Sequence, residues 1–331
     1  MSRPVRPDVS FLTWGRIDRA AEIADALGGE AWSFRPRRLD RQALAPLRWL
    51  LGAVLTWSYL LRRRPRALIV TNPPIWLGLI AWMYTRARRA PLVLDSHPGG
   101  FGRQGDPVAA RVQRLHAWLA ARADLVLVTA PHWVAIVDGW GGRGQVLHEA
   151  EPQWLPTPPK PAGTPLRLLF AGTFGRDEPV AEIVEAVRGL DDVTLEITGD
   201  PRKAPPEVMA AVGPNVELLG WLDPQEYQAA ISRADAVVVL STEPTSVMRA
   251  ACDAVWAMRP LLVNDNELLA EVFPDAVRAG CTVPELRAGV LRIVEEHSRL
   301  CELAPGARER QAAHWHDQLA RLARAVGRTG A

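Results

Sequence analysis

The sequence predicts an α/β protein built from two Rossmann-like, doubly wound domains. Three observations carry this. Compact apolar runs alternate with helical patterns along the chain. The alternation breaks once, at 151–165, where EPQWLPTPPKPAGTP sets six prolines between two periodic regions. The length of 331 residues is about twice that of a usual domain.

Taken in order, the run VSFLTW at 9–14 is β-rich. It is followed by a turn through Gly15 and Arg16, a helical pattern at 20–27, and the stop signal Gly28-Gly29. Apolar runs at 67–70, 91–95 and 124–128 are of the kind buried on both faces of a parallel sheet. Beyond the prolines the alternation restarts, with strands expected at 166–170, 194–198, 216–219, 236–240 and 260–263. Trp315, Leu319, Leu322 and Val326 share one helical face, which predicts a final amphipathic helix of about five turns. The expected organisation is a first domain over 1–150, a linker over 151–165, a second domain over 166–305 and a closing helix over 306–331.

Composition narrows the function classes. At 48% hydrophobic and 23% charged residues, the chain is neither a disordered tail nor a polytopic membrane protein. The net charge of +2 hides an asymmetry: residues 1–150 carry 21 Arg, no Lys and 11 acids (+10), and the remainder carries 18 basic and 26 acidic residues (−8). Ten of the thirteen tryptophans lie at or before Trp154. A basic, Trp-rich half suits an anionic surface or ligand; the plainer account is a set of solvated arginine faces. Cys252, Cys281 and Cys301 are an odd number without metal-like spacing, and 1–15 has no apolar stretch of signal length. A reducing cytoplasm is therefore the expected compartment.

The segment PLRWLLGAVLTWSYLLRRRPR at 46–66 is too short in its apolar part to span a bilayer. It reads either as an interfacial helix, with Trp49, Trp57 and Tyr59 at headgroup depth and Arg62, Arg63, Arg64 and Arg66 on anionic lipid, or as a core helix with a basic end. The next helical stretch, IWLGLIAWMYTRARR, repeats the apolar-then-basic order. The expected location is cytoplasmic and peripheral to the membrane.

GxxxxGK[ST], HExxH and GxSxG are absent, and no GxGxxG follows the first strand, which removes Walker ATPases, zincins, ordinary serine hydrolases and the main support for a NAD enzyme. Polar or small residues do follow the strands, where an open parallel sheet binds ligands. Gly15, Arg16 and Asp18 follow the first, where a ligand can approach backbone and helix N-terminus. Asn72 precedes a Pro-Pro pair and either touches substrate or caps the next helix. Asp95-Ser96-His97 leads into PGGFG, which makes His97 a hydrogen-bonding candidate.

With these residues in view, the chain resembles the family-four-like retaining glycosyltransferases of the GT-B fold over nearly its whole length. The stretch ALIVTNPPIWLGLIAWMYTRARRAPLVLDSH is similar to the acceptor domain of the chitobiosyldiphosphodolichol mannosyltransferase branch. LRLLFAGTFGRDEPVAEIVEAV resembles the family's second opening strand, Gly-rich turn and helix. VELLGWLDPQEYQAAISRADAVVVLST, with Trp221, resembles the segment that ends at the donor nucleotide, and STEPTSVMRAACDAVWAMRPLLVND resembles the donor signature E-x7-E. Aligned on Pro260, Asp253 takes the second Glu position, which holds the ribose, and Thr245 takes the first, with Glu243 two residues earlier. The family's diphosphate-binding Arg and Lys fall at Thr173 and Glu178, so neither is present; Arg176 lies between them.

The resemblance implies two domains facing a cleft, with a last helix crossing back to the first. It also implies hexosyltransferase-type transfer from a nucleoside diphosphate sugar, with retention and without metal or other cofactor. Donor contacts then fall to Gly172, Thr173, Arg176, Trp221, Glu243, Thr245, Ser246, Arg249 and Asp253, with amides at 172–175 and a helix start near Thr245 and Ser246 for the diphosphate. His97 and Asp18 are the candidates for the reacting centre, and Gly15, Arg16 and Asn72 for the acceptor. The acceptor expected from the basic half is a lipid-linked or envelope or exopolysaccharide glycan at the inner face of the cytoplasmic membrane, with no nucleic acid involved. Two alternatives stay open: a non-catalytic GT-B-like partner subunit, suggested by the missing Glu, Arg and Lys, and a nucleotide-sugar 2-epimerase.

Overall fold

The computed structural model describes residues 8–36, 44–101, 107–152, 158 and 161–327. Part of the proline-rich stretch, at 153–157 and 159–160, lies outside them. The chain forms two compact units, Met1–Ala150 with Trp315–Ala331, and Glu151–His314.

In the first unit six parallel strands lie in the order β2-β1-β3-β4-β5-β6. They are β1 (Val9–Thr13), β2 (Glu30–Ser33), β3 (Ala67–Asn72), β4 (Leu92–Ser96), β5 (Leu125–Val128) and β6 (Gly144–Val146). Five helices connect them: α1 (Asp18–Ala26), α2 (Ala45–Arg63), α3 (Ile75–Arg88), α4 (Pro107–Ala120) and α5 (Pro131–Gly139). The central strands are buried almost entirely, because Val, Leu and Ile fill both faces beneath helices. Leu12, Leu68, Val70, Leu77, Leu94 and Val126 belong to one core under α2 to α5. Burying a side chain of this kind contributes about 1.5–3 kcal/mol. Helices α2 and α3 each end at a left-handed arginine, Arg64 at φ 51 and Arg89 at φ 52.

The second unit repeats the plan with β7 (Leu166–Phe170), β8 (Val193–Thr198), β9 (Val216–Gly220), β10 (Ala236–Val239), β11 (Leu261–Asn264) and β12 (Val277–Ala279), in the order β12-β11-β10-β7-β8-β9. Its helices are α6 (Val180–Val187), α7 (Pro206–Ala211), α8 (Pro224–Arg233), α9 (Arg249–Trp256), α10 (Glu267–Val272) and the long α11 (Val283–Ala325). Asp223 and Glu226 close a reciprocal capping box at the start of α8.

The structure departs from the expected elements in three places. The edge strands β2, β6 and β12 have no compact apolar run and were not expected. The closing helix does not start at 306: one helix runs from Val283 through Pro305, and its last turns count with the first unit. There Gln318 accepts from the His148 amide at 2.9 Å, and its carbonyl accepts from Gln145 Nε2 at 2.7 Å. In α2, Trp57, Tyr59 and Arg63 face the protein: Tyr59 and Arg63 both donate to Glu30 on β2, and the Tyr59 ring packs on Trp32. Trp49, Leu50, Val54 and Leu61 face outward, while Gly52, Thr56 and Leu60 face inward.

Candidate functional site

Each sheet has one switch point, where the chain leaves adjacent strands in opposite directions and their carboxyl ends open a crevice. In the first unit it lies between β1 and β3. Gly15 follows β1, with its amide donating to Thr13 Oγ1 at 3.0 Å. Arg16 and Asp18 pair with each other at 2.8 Å on the surface. Asn72 ends β3 and is buried; its carbonyl accepts the His97 amide at 2.9 Å, and its side chain lies 3.5 Å from Ser96 Oγ. The α3 helix starts at Ile75 with Pro74 as N-cap, so Asn72 does not cap it.

Beside this crevice β4 ends in Asp95-Ser96, and His97 follows at the start of the next turn. His97 Nε2 lies 3.3 Å from Asp95 Oδ2, and the imidazole is 37% exposed while the carboxylate is buried. The charge that makes this arrangement affordable is Arg19. From α1 its Nε donates to both Asp95 oxygens at 3.3 and 3.1 Å. Nη1 donates to Glu149 Oε1 at 2.9 Å and Nη2 to the Leu147 carbonyl at 2.9 Å. Burial alone would raise the Asp95 pKa, but the charges of Arg19 and His97 outweigh it and hold the carboxyl well below its usual range. Burial alone would lower His97; the Asp95 carboxylate outweighs it and the imidazole pKa is raised. The result is an imidazole biased toward its charged form, fixed through one nitrogen.

The turn after His97 is pinned by His116 of α4. His116 Nδ1 donates to the Gly100 carbonyl at 3.0 Å, which leaves Nε2 to accept from Ser96 Oγ at 3.0 Å. Burial pushes its pKa down to about 4. Phe101, Trp133 and Trp140 pack around the same turn.

In the second unit the switch point lies between β7 and β10. After β7 the chain reads Gly172-Thr173-Phe174-Gly175, and Phe174 takes φ 58. The Gly172 amide donates to Thr198 Oγ1 at 3.0 Å. The Thr173 amide, the Thr173 hydroxyl and the Gly175 amide all donate to the Glu178 carboxylate, at 2.9, 3.0 and 3.0 Å. Arg176 is exposed. Asp177 ties this loop to the one after β10: Ser241 Oγ donates to its carboxylate at 2.6 Å and the Thr242 amide to its carbonyl at 2.7 Å. Glu243 accepts from Thr245 Oγ1 at 2.8 Å.

The α9 helix does not begin near Thr245 and Ser246. Pro244 sits inside a turn closed by the Ser246 amide on the Glu243 carbonyl, Met248 stays extended, and Arg249 is the first helical residue. Asp253 lies one turn along, buried, 3.6 Å from Arg249 Nε and accepting from Tyr227 at 3.4 Å. Trp221, just past β9, is 61% exposed.

Comparison with known proteins places this geometry. Residues 6–148 match the glycosyl transferase 4-like domain. No curated protein sequence shows significant similarity to the chain. Among solved structures, sucrose-phosphate synthase from Thermosynechococcus elongatus superposes with a TM-score of 0.73 at 16% identity, covering 96% of this chain and 97% of that one. The Anabaena protein HepE, solved with UDP and glucose, gives 0.68 at 14% identity, with 96% and 99% covered. A glycosyltransferase from Rickettsia africae gives 0.68 at 11%, with 98% and 100% covered.

The chain has a GT-B fold. The GT-B units each gather the expected site residues at their own switch point. Gly15, Arg16, Asp18, Asn72 and His97 lie at or beside the first; Gly172, Thr173, Arg176, Glu243, Thr245 and Ser246 lie at the second, with Arg249 and Asp253 in the helix that follows. Sequence reasoning missed Arg19, Glu149, His116 and Tyr227 as partners. The available signal was Arg19, which shares a helical face with the apolar Ile23 and is buried with it. The role of Glu178 was also missed: an acid standing three residues beyond a Gly-bounded turn is placed to accept from it.

Proposed function

We propose that this GT-B chain transfers a sugar from a nucleoside diphosphate sugar to a lipid-linked glycan at an anionic membrane surface, with retention of configuration. The observation that carries the reading is the match of residues 6–148 to a glycosyl transfer domain, with the Asp95–His97 pair at the carboxyl end of its sheet. We assign the acceptor to the first unit and the donor to the second; HepE, a protein of the same fold, was solved in complex with UDP.

In such a transfer negative charge builds on the leaving diphosphate, and Arg249 and Arg176 are the cations that offset it in the second unit. Asp253 holds the ribose. His97, oriented by Asp95, donates a hydrogen bond to the transferred sugar or the acceptor hydroxyl. Among the described residues no helix is long and apolar enough to cross a membrane. Attachment therefore falls to α2, whose outward face carries Leu47, Leu50, Leu51, Val54, Leu55 and Leu61, with Trp76 of α3 against Trp49.

One observation favours a second reading, a non-catalytic subunit: the loop amides expected to meet the diphosphate are already engaged by Glu178. Thermal unfolding with a panel of nucleotide sugars tests donor binding. A true donor at a hundred times its dissociation constant adds about 2.7 kcal/mol; no stabilisation by any of them contradicts the proposal.

A further inference from the structure

The loop at 172–175 is an anion cradle. Phe174 is held at φ 58, a conformation that costs a non-glycine residue on the order of 1 kcal/mol, and its ring is seated against Gly199. Reversing the backbone at one residue turns neighbouring amides toward a common point, the geometry of backbone anion sites. Here the Thr173 and Gly175 amides and the Thr173 hydroxyl converge on one carboxylate. The cradle is close-fitting: a Cβ on Gly172 would lie 2.8 Å from Glu178 Oε2 and 2.3 Å from the Phe170 ring. Glycine at 172 therefore leaves room for an anionic oxygen where any side chain would displace it.

We propose that Glu178 is an internal competitor for the donor's diphosphate and sets the affinity of the site for it. This rests on the reading of the second unit as the donor side. The carboxylate mimics one anionic oxygen of the diphosphate and occupies the donors that the diphosphate needs. Binding must therefore swing Glu178 out, and the expelled charge stays close to the incoming one. The neighbouring Asp177 is fixed on Ser241 and does not vacate the loop, so Glu178 is the movable acid. Nucleoside recognition is untouched, because neither amide faces a base or a ribose in this account.

The experiment measures binding of UDP, pyrophosphate and uridine to wild-type protein, Glu178→Gln and Glu178→Ala by calorimetry, with thermal melts to establish folding. Removing the charge in Glu178→Gln is expected to tighten UDP and pyrophosphate about tenfold and to leave uridine unchanged. Glu178→Ala, which also empties the cradle, is expected to tighten them at least as much. UDP binding to wild type with no gain in either folded variant overturns the competitor role and leaves the donor reading intact. An equal gain for uridine also overturns it, since the effect is then not on the phosphates. Failure of UDP and pyrophosphate to bind any of the three proteins overturns both.

Discussion

Arg19 carries more of the first site than any other side chain. Six of its hydrogen bonds converge on Asp95, Glu149 and the Leu147 and His148 carbonyls from a nearly buried position. Breaking a buried ion pair strands the remaining charge at a cost of about 3–5 kcal/mol. Arg19→Leu is therefore expected to lower the urea stability by about that amount; a loss under about 1 kcal/mol contradicts the role of Arg19 in holding Asp95. His116 supplies a pH test. Its folded pKa of about 4 lies below its ordinary value, so between the two the unfolded chain binds the proton more tightly. The stability it protects is complete above about pH 6.5 and falls by roughly 3 kcal/mol as the pH drops to 4. Urea titrations across that range should show a shallower pH slope in His116→Gln than in wild type, and parallel slopes contradict a buried neutral imidazole. His97 was legible as a residue at a strand end. The Arg19 that pairs with its neighbour Asp95 was not, because it comes from another element 76 positions away and only the packed fold brings the two together.

At the scale of the element, α2 carries features of both readings its sequence left open, with Leu60 buried in the core and Trp57 and Tyr59 packed against it. Its inward side is Gly52, Thr56 and Leu60, while Leu50 and Leu61 on the outward side stand more than 60% exposed, an apolar face that a purely core helix does not present. Replacing Leu50, Val54 and Leu61 together by Ser should leave stability nearly unchanged, since exposed substitutions usually shift it by less than about 0.5 kcal/mol. The same variant should float with anionic vesicles more than about tenfold less than wild type. Undiminished flotation contradicts the assignment of this face. Replacing Arg62 and Arg64 by Ser should weaken flotation in low salt most, whereas Arg63 is committed to Glu30. The central strands could be read from their apolar runs because a strand buried on both faces needs little else. The edge strands β2, β6 and β12 are short, with polar residues or glycine among them, and pairing with a neighbour defines them. The start of α9 was misplaced for a similar reason: Thr245 and Ser246 look like caps, but the turn at Pro244 commits them first.

Over the whole molecule, the charge asymmetry and the two units tell one story. The +10 half contains the outward apolar helix and the Asp95–His97 pair, and the −8 half contains the amide cradle and Arg249. An acidic unit suits an anionic donor only where cations and amides are local, and in this chain even the amides are shared with Glu178. Under the proposed reading, exchange of that carboxylate for a diphosphate is the step on which donor use depends. The most direct measurement is transfer itself: folded protein is incubated with radiolabelled nucleotide sugars and vesicles containing extracted membrane lipids, and label is counted in the organic phase. The account predicts that at least one nucleotide sugar labels the lipid fraction, and that His97→Ala lowers this about a hundredfold while UDP affinity stays within about twofold. No label from any donor, from protein that binds UDP and floats with the vesicles, would contradict it.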